Sequence, residues 1–303
     1  MQIVYISNRP ERLLETLNHV ALFMPFIDQA IACVPDAIAN RLTNSAIPLT
    51  IVTESTLLSN SESTTFQHLD HQRRNYLLRT RLIAQPEVDD CFIMSDDDAR
   101  PLKAIRLERF MENQRYRNYF FYELAAWDNN QTEFDVGQIS TYAVLQYCDL
   151  PQLSYASHMP QIIDKEIFLE AVGFFKEYAQ NHPLCEWSTY FNYALKAYPD
   201  KFHAPQTFAT LCWPEHPLAW RLMVQPENYL FENYTPSCYV DEKIFSRLEN
   251  SAKNLQETQE ISIKKIILWR QYAITCSHPE QSSGLLKYIN PRTWINKLFK
   301  HKL

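Results

Sequence analysis

The sequence predicts an α/β protein: a mostly parallel sheet flanked by helices, followed by a helical C-terminal extension. Three observations carry that expectation. Short apolar runs alternate with segments of helical spacing through the N-terminal part of the chain, as layered parallel sheets require. One run, Cys91-Phe92-Ile93-Met94, leads straight into Ser95-Asp96-Asp97-Asp98, which sets three carboxylates at the carboxyl end of a buried strand. Open α/β sheets bind their ligands at that end. Finally, 303 residues that are 46% hydrophobic and 21% charged suffice for one large domain with a sizeable core and an appendage.

In chain order, residues 3–6 read as the first strand, closed by the turn Ser7-Asn8-Arg9-Pro10. Residues 11–26 have helical spacing, with Leu13, Leu14, Leu17, Val20 and Leu22 on the buried face and a proline in the first turn. Residues 30–34 and 48–53 read as the second and third strands. Residues 57–65, rich in Ser, Thr and Asn, read as a loop with the character of a lid. Residues 71–84 form a helix carrying Arg73, Arg74, Arg79 and Arg81, and the acid-bearing strand follows it. Beyond the acids, 119–124 is a further strand, 135–165 reads as irregular and aromatic, and 167–179 and 186–197 as helices. Residues 213–217 form a rigid Pro-containing loop, and 241–275 read as helical. These elements place a catalytic domain over 1–235 and a helical extension over 236–303.

Composition excludes several functions. Net charge is −6, so a general nucleic-acid binder is not expected. The charge is uneven: residues 261–303 hold eight Lys and Arg against one acid, Glu280, leaving +7 there and −13 over the rest. Only Gly137, Gly173 and Gly284 occur, which rules out a Gly-rich phosphate loop. Any phosphate must then be held by metal, by Arg or Lys, or by helix N-termini. Seven scattered cysteines without a C-x-x-C pair suit a reducing compartment. The sequence opens directly on a strand without a signal-peptide pattern and has no run of about 20 apolar residues, so the expectation is a cytoplasmic protein. Residues 285–303 interleave Lys and Arg with Trp294, Leu298 and Phe299. Such a basic amphipathic end suits the surface of an anionic membrane or docking on the acidic body.

Three adjacent acids repel one another unless a cation meets them. Oxygen ligands suit a hard divalent ion, Mn²⁺ or Mg²⁺. The layout resembles the GT-A class of nucleotide-sugar-dependent glycosyltransferases over roughly residues 1–217. The features that carry the resemblance are the first strand ending in Ser7-Asn8-Arg9-Pro10, the alternating units, and the acids after an apolar strand. It implies that Asp96 and Asp98, flanking Asp97, are the Asp-x-Asp signature, whose cation bridges the donor diphosphate. Asp98 is then the first metal ligand. Asp96 binds metal through water or touches the ribose, Asp97 lies at the nucleotide, and Asn8 and Arg9 meet the base and ribose. Arg73 and Arg74 are candidates for the phosphates. Glu186, at a helix start, is the expected general base, with Asp164 and Asp128 as rivals. His158 and His216, in aromatic Pro-containing loops, are candidates to complete the metal site. Trp127, Trp187 and Trp213 are candidates to stack on sugar. Each also has an ordinary structural reading as a cap, a solvated helix face or a core aromatic.

The function expected is metal-dependent transfer of a sugar from a nucleotide-sugar donor, UDP-, GDP- or CMP-linked, to a glycan or lipid-linked acceptor in bacterial capsule or lipopolysaccharide assembly. The alternatives are a sugar-phosphate or nucleotidyl transferase, weakened by the missing Gly-rich loop, and a non-catalytic envelope-assembly protein.

Overall fold

The structure, a computed structural model, describes residues 1–211 and 230–233. The chain divides into two units, Met1–Thr210 with Leu230–Tyr234, and Leu211–Tyr229 with Thr235–Leu303. The expected loop at 213–217, with Trp213 and His216, the helical stretch 241–275 and the basic end 285–303 lie outside the described residues.

Strand Gln2–Ile6 takes the middle of a five-stranded sheet because its side chains are apolar on both faces. Ile3 and Tyr5 join the cluster formed with Leu13, Leu17 and Val20 of helix Pro10–Phe23. Val4 joins the opposite cluster, with Leu78 and Leu82 of helix His71–Ile83, Phe168 of Lys165–Phe174 and Tyr190 of Glu186–Ala197. Gln29–Val34 pairs with one edge of the central strand and Leu49–Thr53 with Gln29–Val34, both in parallel. Cys91–Met94 pairs with the other edge, also in parallel, and Gln161–Asp164 closes that side antiparallel. The expected mostly parallel α/β sheet is therefore what forms.

This order has a consequence for ligands. The chain winds outward over the first three strands and then crosses back to lay the fourth on the opposite side of the first. The reversal falls between Gln2–Ile6 and Cys91–Met94, and their carboxyl ends flank the crevice where doubly wound sheets bind ligands.

Several elements differ from expectation. The polar stretch at 57–65 is helical, Glu54–Leu57 and Asn60–Phe66. Ser59 and Glu62 form a capping box there, and buried Leu57 and Leu58 anchor the segment. The irregular stretch expected at 135–165 contains helix Glu133–Tyr147 and strands Leu153–Ser154 and Gln161–Asp164. The Thr132/Asp135 capping box starts that helix, and exposed Val136 and Ile139 blur its amphipathic signal. The strand at 119–124 is two short strands. Tyr119–Phe120 pairs with Gln206–Thr207 and Tyr122–Glu123 with Leu153–Ser154. The helix at 167–179 breaks into Lys165–Phe174 and Lys176–Asn181. The first helix ends at Phe23, since Pro25 disfavours helical backbone at Met24.

Just past the acids, strand Ala99–Pro101 pairs antiparallel with Phe231–Asn233. Buried Arg100 joins Glu15 of the first helix (Nη1–Oε1 2.8 Å) to Glu232 of the returning strand (Nε–Oε1 2.7 Å). The hydrogen bond with His19 pulls the Glu15 carboxyl down. Burial opposes it and the Arg100 charge assists, and the result falls from 4.5 to about 2. A lowered acid lends stability above its unfolded pKa and loses it as pH falls through the folded one. We therefore expect Glu15→Gln to lower Tm at pH 7, and the gap from wild type to narrow as pH falls from 4.5 toward 2. Thermal scans across that window check this; a gap that does not change with pH contradicts it.

Candidate active site

The site is built where two strand ends meet. Ser7 and Arg9 follow the central strand, and Asp96, Asp97 and Asp98 follow its neighbour. Asp97 is the inward-facing acid, only 3% exposed. Ser7 Oγ donates to its Oδ2 at 2.5 Å, Arg9 Nε donates to the same oxygen at 3.0 Å, and Arg9 Nη2 bonds Oδ1. Thr16 of the first helix fixes the Asp97 carbonyl at 2.7 Å. Burial raises the Asp97 carboxyl, and Arg9 only partly opposes that. Its place is thus to lock the two loops together.

Asp98 and Asp96 flank it and point elsewhere. Asp98 Oδ2 takes Arg9 Nη2 at 2.9 Å, with Arg12 Nη1 at 3.6 Å. Its Oδ1 is buried without a hydrogen bond, and the Nδ1 atom of His158 stands 3.8 Å away. Asp96 Oδ1 accepts from Arg79 Nη2 at 2.6 Å, and its Oδ2 lies 3.3 Å from the same imidazole nitrogen. Burial raises both carboxyls, but the close, charged His158 imidazole outweighs it, with Arg79 helping at Asp96 and Arg9 at Asp98. Both end below the usual range. Conversely, burial lowers His158 and the two acids more than reverse that, to about 10. His158 has φ 48°, a left-handed backbone unusual outside glycine, and strain of this kind gathers at functional sites.

Among the described residues, no group of three or more His, Cys, Asp or Glu side chains is disposed to hold a metal ion as it stands. The donor chemistry nonetheless fits one. An unbonded buried carboxylate oxygen, a second carboxylate oxygen and an imidazole nitrogen converge, a set that suits Mn²⁺ or Mg²⁺ once the imidazole gives up its proton.

The remaining expected residues fall in different places. Asn8 is exposed beside Arg9, whose side chain is 40% exposed at the mouth. Glu186 reaches the site only through Arg79. It is 2% exposed, its Oε1 lies 2.8 Å from Arg79 Nε, and its Oε2 accepts from Gln72 at 3.1 Å. Burial raises its carboxyl against the pull of Arg79. Asp164 is not brought to the site. Its register opposite Cys91 sets it at the amino end of the acid-bearing strand, where it caps helix Lys165–Phe174 and bonds Lys201 at 3.1 Å. Arg74 faces solvent and braces the preceding turn through the Leu69 and Gln67 carbonyls, and Arg73 is taken by Asp70 and the Asn181 carbonyl. Asp128 is exposed. Trp127 stacks on Tyr122 at 5.1 Å, and Trp187 lies under the Arg79 guanidinium at 4.7 Å.

Arg79 and Arg12 went unrecognised as site residues. Arg79 had a readable signal: it shares the spacing of Leu78, Leu82 and Ile83 on the buried helix face, where an arginine must have a buried partner.

No protein-family model matches the sequence, and no curated protein matches it. The chain is similar to solved structures at low identity. One is the galactosyltransferase LgtC in complex with donor and acceptor sugar analogs, at 10% identity, covering 86% of this chain and 95% of that one, with TM-score 0.45. Another is the apo glycosyltransferase GlyE of Streptococcus pneumoniae, at 9% identity, covering 91% and 63%, with TM-score 0.41. A third is apo mouse xyloside xylosyltransferase 1, at 9% identity, covering 78% and 99%, with TM-score 0.41.

Proposed function

We propose that the chain is a glycosyltransferase that takes a sugar from a nucleotide-sugar donor and transfers it to a glycan or lipid-linked acceptor, in bacterial capsule or lipopolysaccharide assembly. The observation that carries this is the meeting of Arg9 with Asp98, and of Asp98 and Asp96 with His158, at the crevice where the strand order reverses. A strand-end crevice binds ligands, and one lined with acids and arginines suits a charged ligand that arrives with a cation.

Sugar transfer asks the protein to neutralise a leaving diphosphate, orient the sugar and accept the proton of the acceptor hydroxyl. Asp96, Asp98 and His158 would hold Mn²⁺ or Mg²⁺, which supplies the charge that stabilises the departing diphosphate. Arg9, just before helix Pro10–Phe23, and Arg12, in its first turn, would hold phosphate oxygens alongside the N-terminal dipole. Asn8 is the polar group left at the mouth for the base or ribose. Of the expected bases only Glu186 is connected to the site, and through Arg79. Asp164→Ala is accordingly expected to lower stability by loss of a helix cap, about 1 kcal/mol, and to leave kcat unchanged; a loss of kcat returns Asp164 to the role of base.

A panel of UDP-, GDP- and CMP-sugars with Mn²⁺, read by donor hydrolysis, tests the function. Hydrolysis of one donor, abolished by EDTA, is the expected result. Release of pyrophosphate from a nucleoside triphosphate and a sugar phosphate identifies a nucleotidyl transferase instead. No turnover of any donor, with no nucleotide bound, leaves the envelope-assembly reading. No helix among the described residues is long and apolar enough to cross a membrane. Contact with an anionic membrane through 285–303 remains a proposal, and we expect the intact chain to sediment with anionic liposomes at low salt and to be released at 1 M salt, where charge reaches only about 3 Å.

A further inference from the structure

Gly137 sits inside helix Glu133–Tyr147, where glycine is a poor helix former. A Cβ there would stand 3.1 Å from both Cγ and Oε1 of Gln72, on the neighbouring helix His71–Ile83. Gln72 is buried, and its amide donates to Glu186 Oε2 at 3.1 Å. Glu186 Oε1 lies 2.8 Å from Arg79 Nε, and Arg79 Nη2 donates to Asp96 Oδ1 at 2.6 Å. Trp187 covers the guanidinium face at 4.7 Å. The result is a continuous buried line from a helix-interior glycine to a carboxylate of the candidate site.

Stability alone does not account for this line. Apolar side chains of similar volume would be as stable as a buried ion group, or more so. What the line does provide is orientation. With Oδ1 of Asp96 held by Arg79, its Oδ2 is left facing His158. Residues that hold a metal-binding carboxylate in this manner commonly change metal affinity 10- to 100-fold when replaced.

We propose that Gln72, Glu186 and Arg79 are positioning residues that fix Asp96 for cation binding, and that Gly137 is the clearance that admits Gln72. The proposal rests on the reading of Asp96 and Asp98 as cation ligands. It gives Glu186 a role other than general base, since both of its oxygens are committed within the protein.

The test uses the full chain. Mn²⁺ affinity is measured in the presence of UDP by loss of the free-Mn²⁺ paramagnetic resonance signal, with Tm measured alongside in the absence of metal. Glu186→Gln and Gln72→Met are expected to weaken Mn²⁺ about 10- to 100-fold, and Arg79→Lys, which keeps the charge but not the fork, less than either. Gly137→Ala is expected to weaken Mn²⁺ while Tm holds or rises, because alanine favours the helix and its Cβ presses on Gln72. Lowered Tm with Mn²⁺ affinity within about twofold of wild type in both Glu186→Gln and Gln72→Met overturns the relay. So does Glu186→Gln that loses transfer with Mn²⁺ affinity intact, which marks a base. Gly137→Ala with unchanged affinity overturns the clearance. Wild type that takes up no Mn²⁺ with UDP overturns instead the reading of the acids on which the relay stands, and Asp98→Asn serves as the control that separates the two failures.

Discussion

Asp98→Asn is expected to reduce sugar transfer at least about 10²-fold with the fold intact. Asparagine keeps the shape and its one amide oxygen can still accept from Arg9, so the loop geometry survives. What is lost is the charge on Oδ1, a buried oxygen without a hydrogen bond in the protein and so the one most available to a cation. Removing that charge also weakens the hold on the His158 proton, because Asp98 is one of the two acids that raise it. Transfer rate and Tm, measured together on the purified variant, check this. Full turnover by Asp98→Asn without added metal contradicts it.

The largest effect on stability belongs to Arg79→Met. Arg79 is 4% exposed, donates to Asp96 and forms an ion pair with Glu186. Methionine fills much of the volume over Trp187 but leaves Glu186 without its cation and Asp96 with His158 alone. Removing one partner of a buried ion group costs about 3–5 kcal/mol, a fall in Tm of about 10 °C in a protein of this size. Glu186, already raised by burial, would then take up a proton. The double variant Arg79→Met/Glu186→Gln should recover part of the loss, because it removes one stranded charge. Calorimetry of the single and double variants measures the coupling. Equal stability of Arg79→Met and wild type contradicts the assignment.

How much of this was legible in the sequence depends on how local each signal is. The central strand, the acid-bearing strand and helix Glu186–Ala197 could be read because apolar runs and breakers lie within or beside each segment. Helix Glu133–Tyr147 was hidden by an exposed apolar face, although its Thr132/Asp135 box was there to be found. The site divides in the same way. That Asp96 and Asp98 sit at a strand end follows from the sequence around them. That Asp97 locks Arg9, that Arg79 and not Arg74 reaches the acids, and that His158 stands between Asp96 and Asp98 all depend on long-range pairing. Asp164 shows the limit most plainly. The antiparallel pairing of Gln161–Asp164 decides which end of the sheet it occupies, and no pattern within residues 161–164 reports it.

The claim at the centre of this account is that the crevice between Arg9 and Asp98 binds the donor diphosphate with a divalent cation. Diffraction from crystals soaked in UDP and Mn²⁺, with anomalous data collected at the manganese edge, tests it most directly. The account predicts one anomalous peak bounded by Asp96, Asp98 and His158, with the diphosphate against Arg9 and Arg12. Nucleotide bound elsewhere, or manganese bound away from these residues, would contradict it.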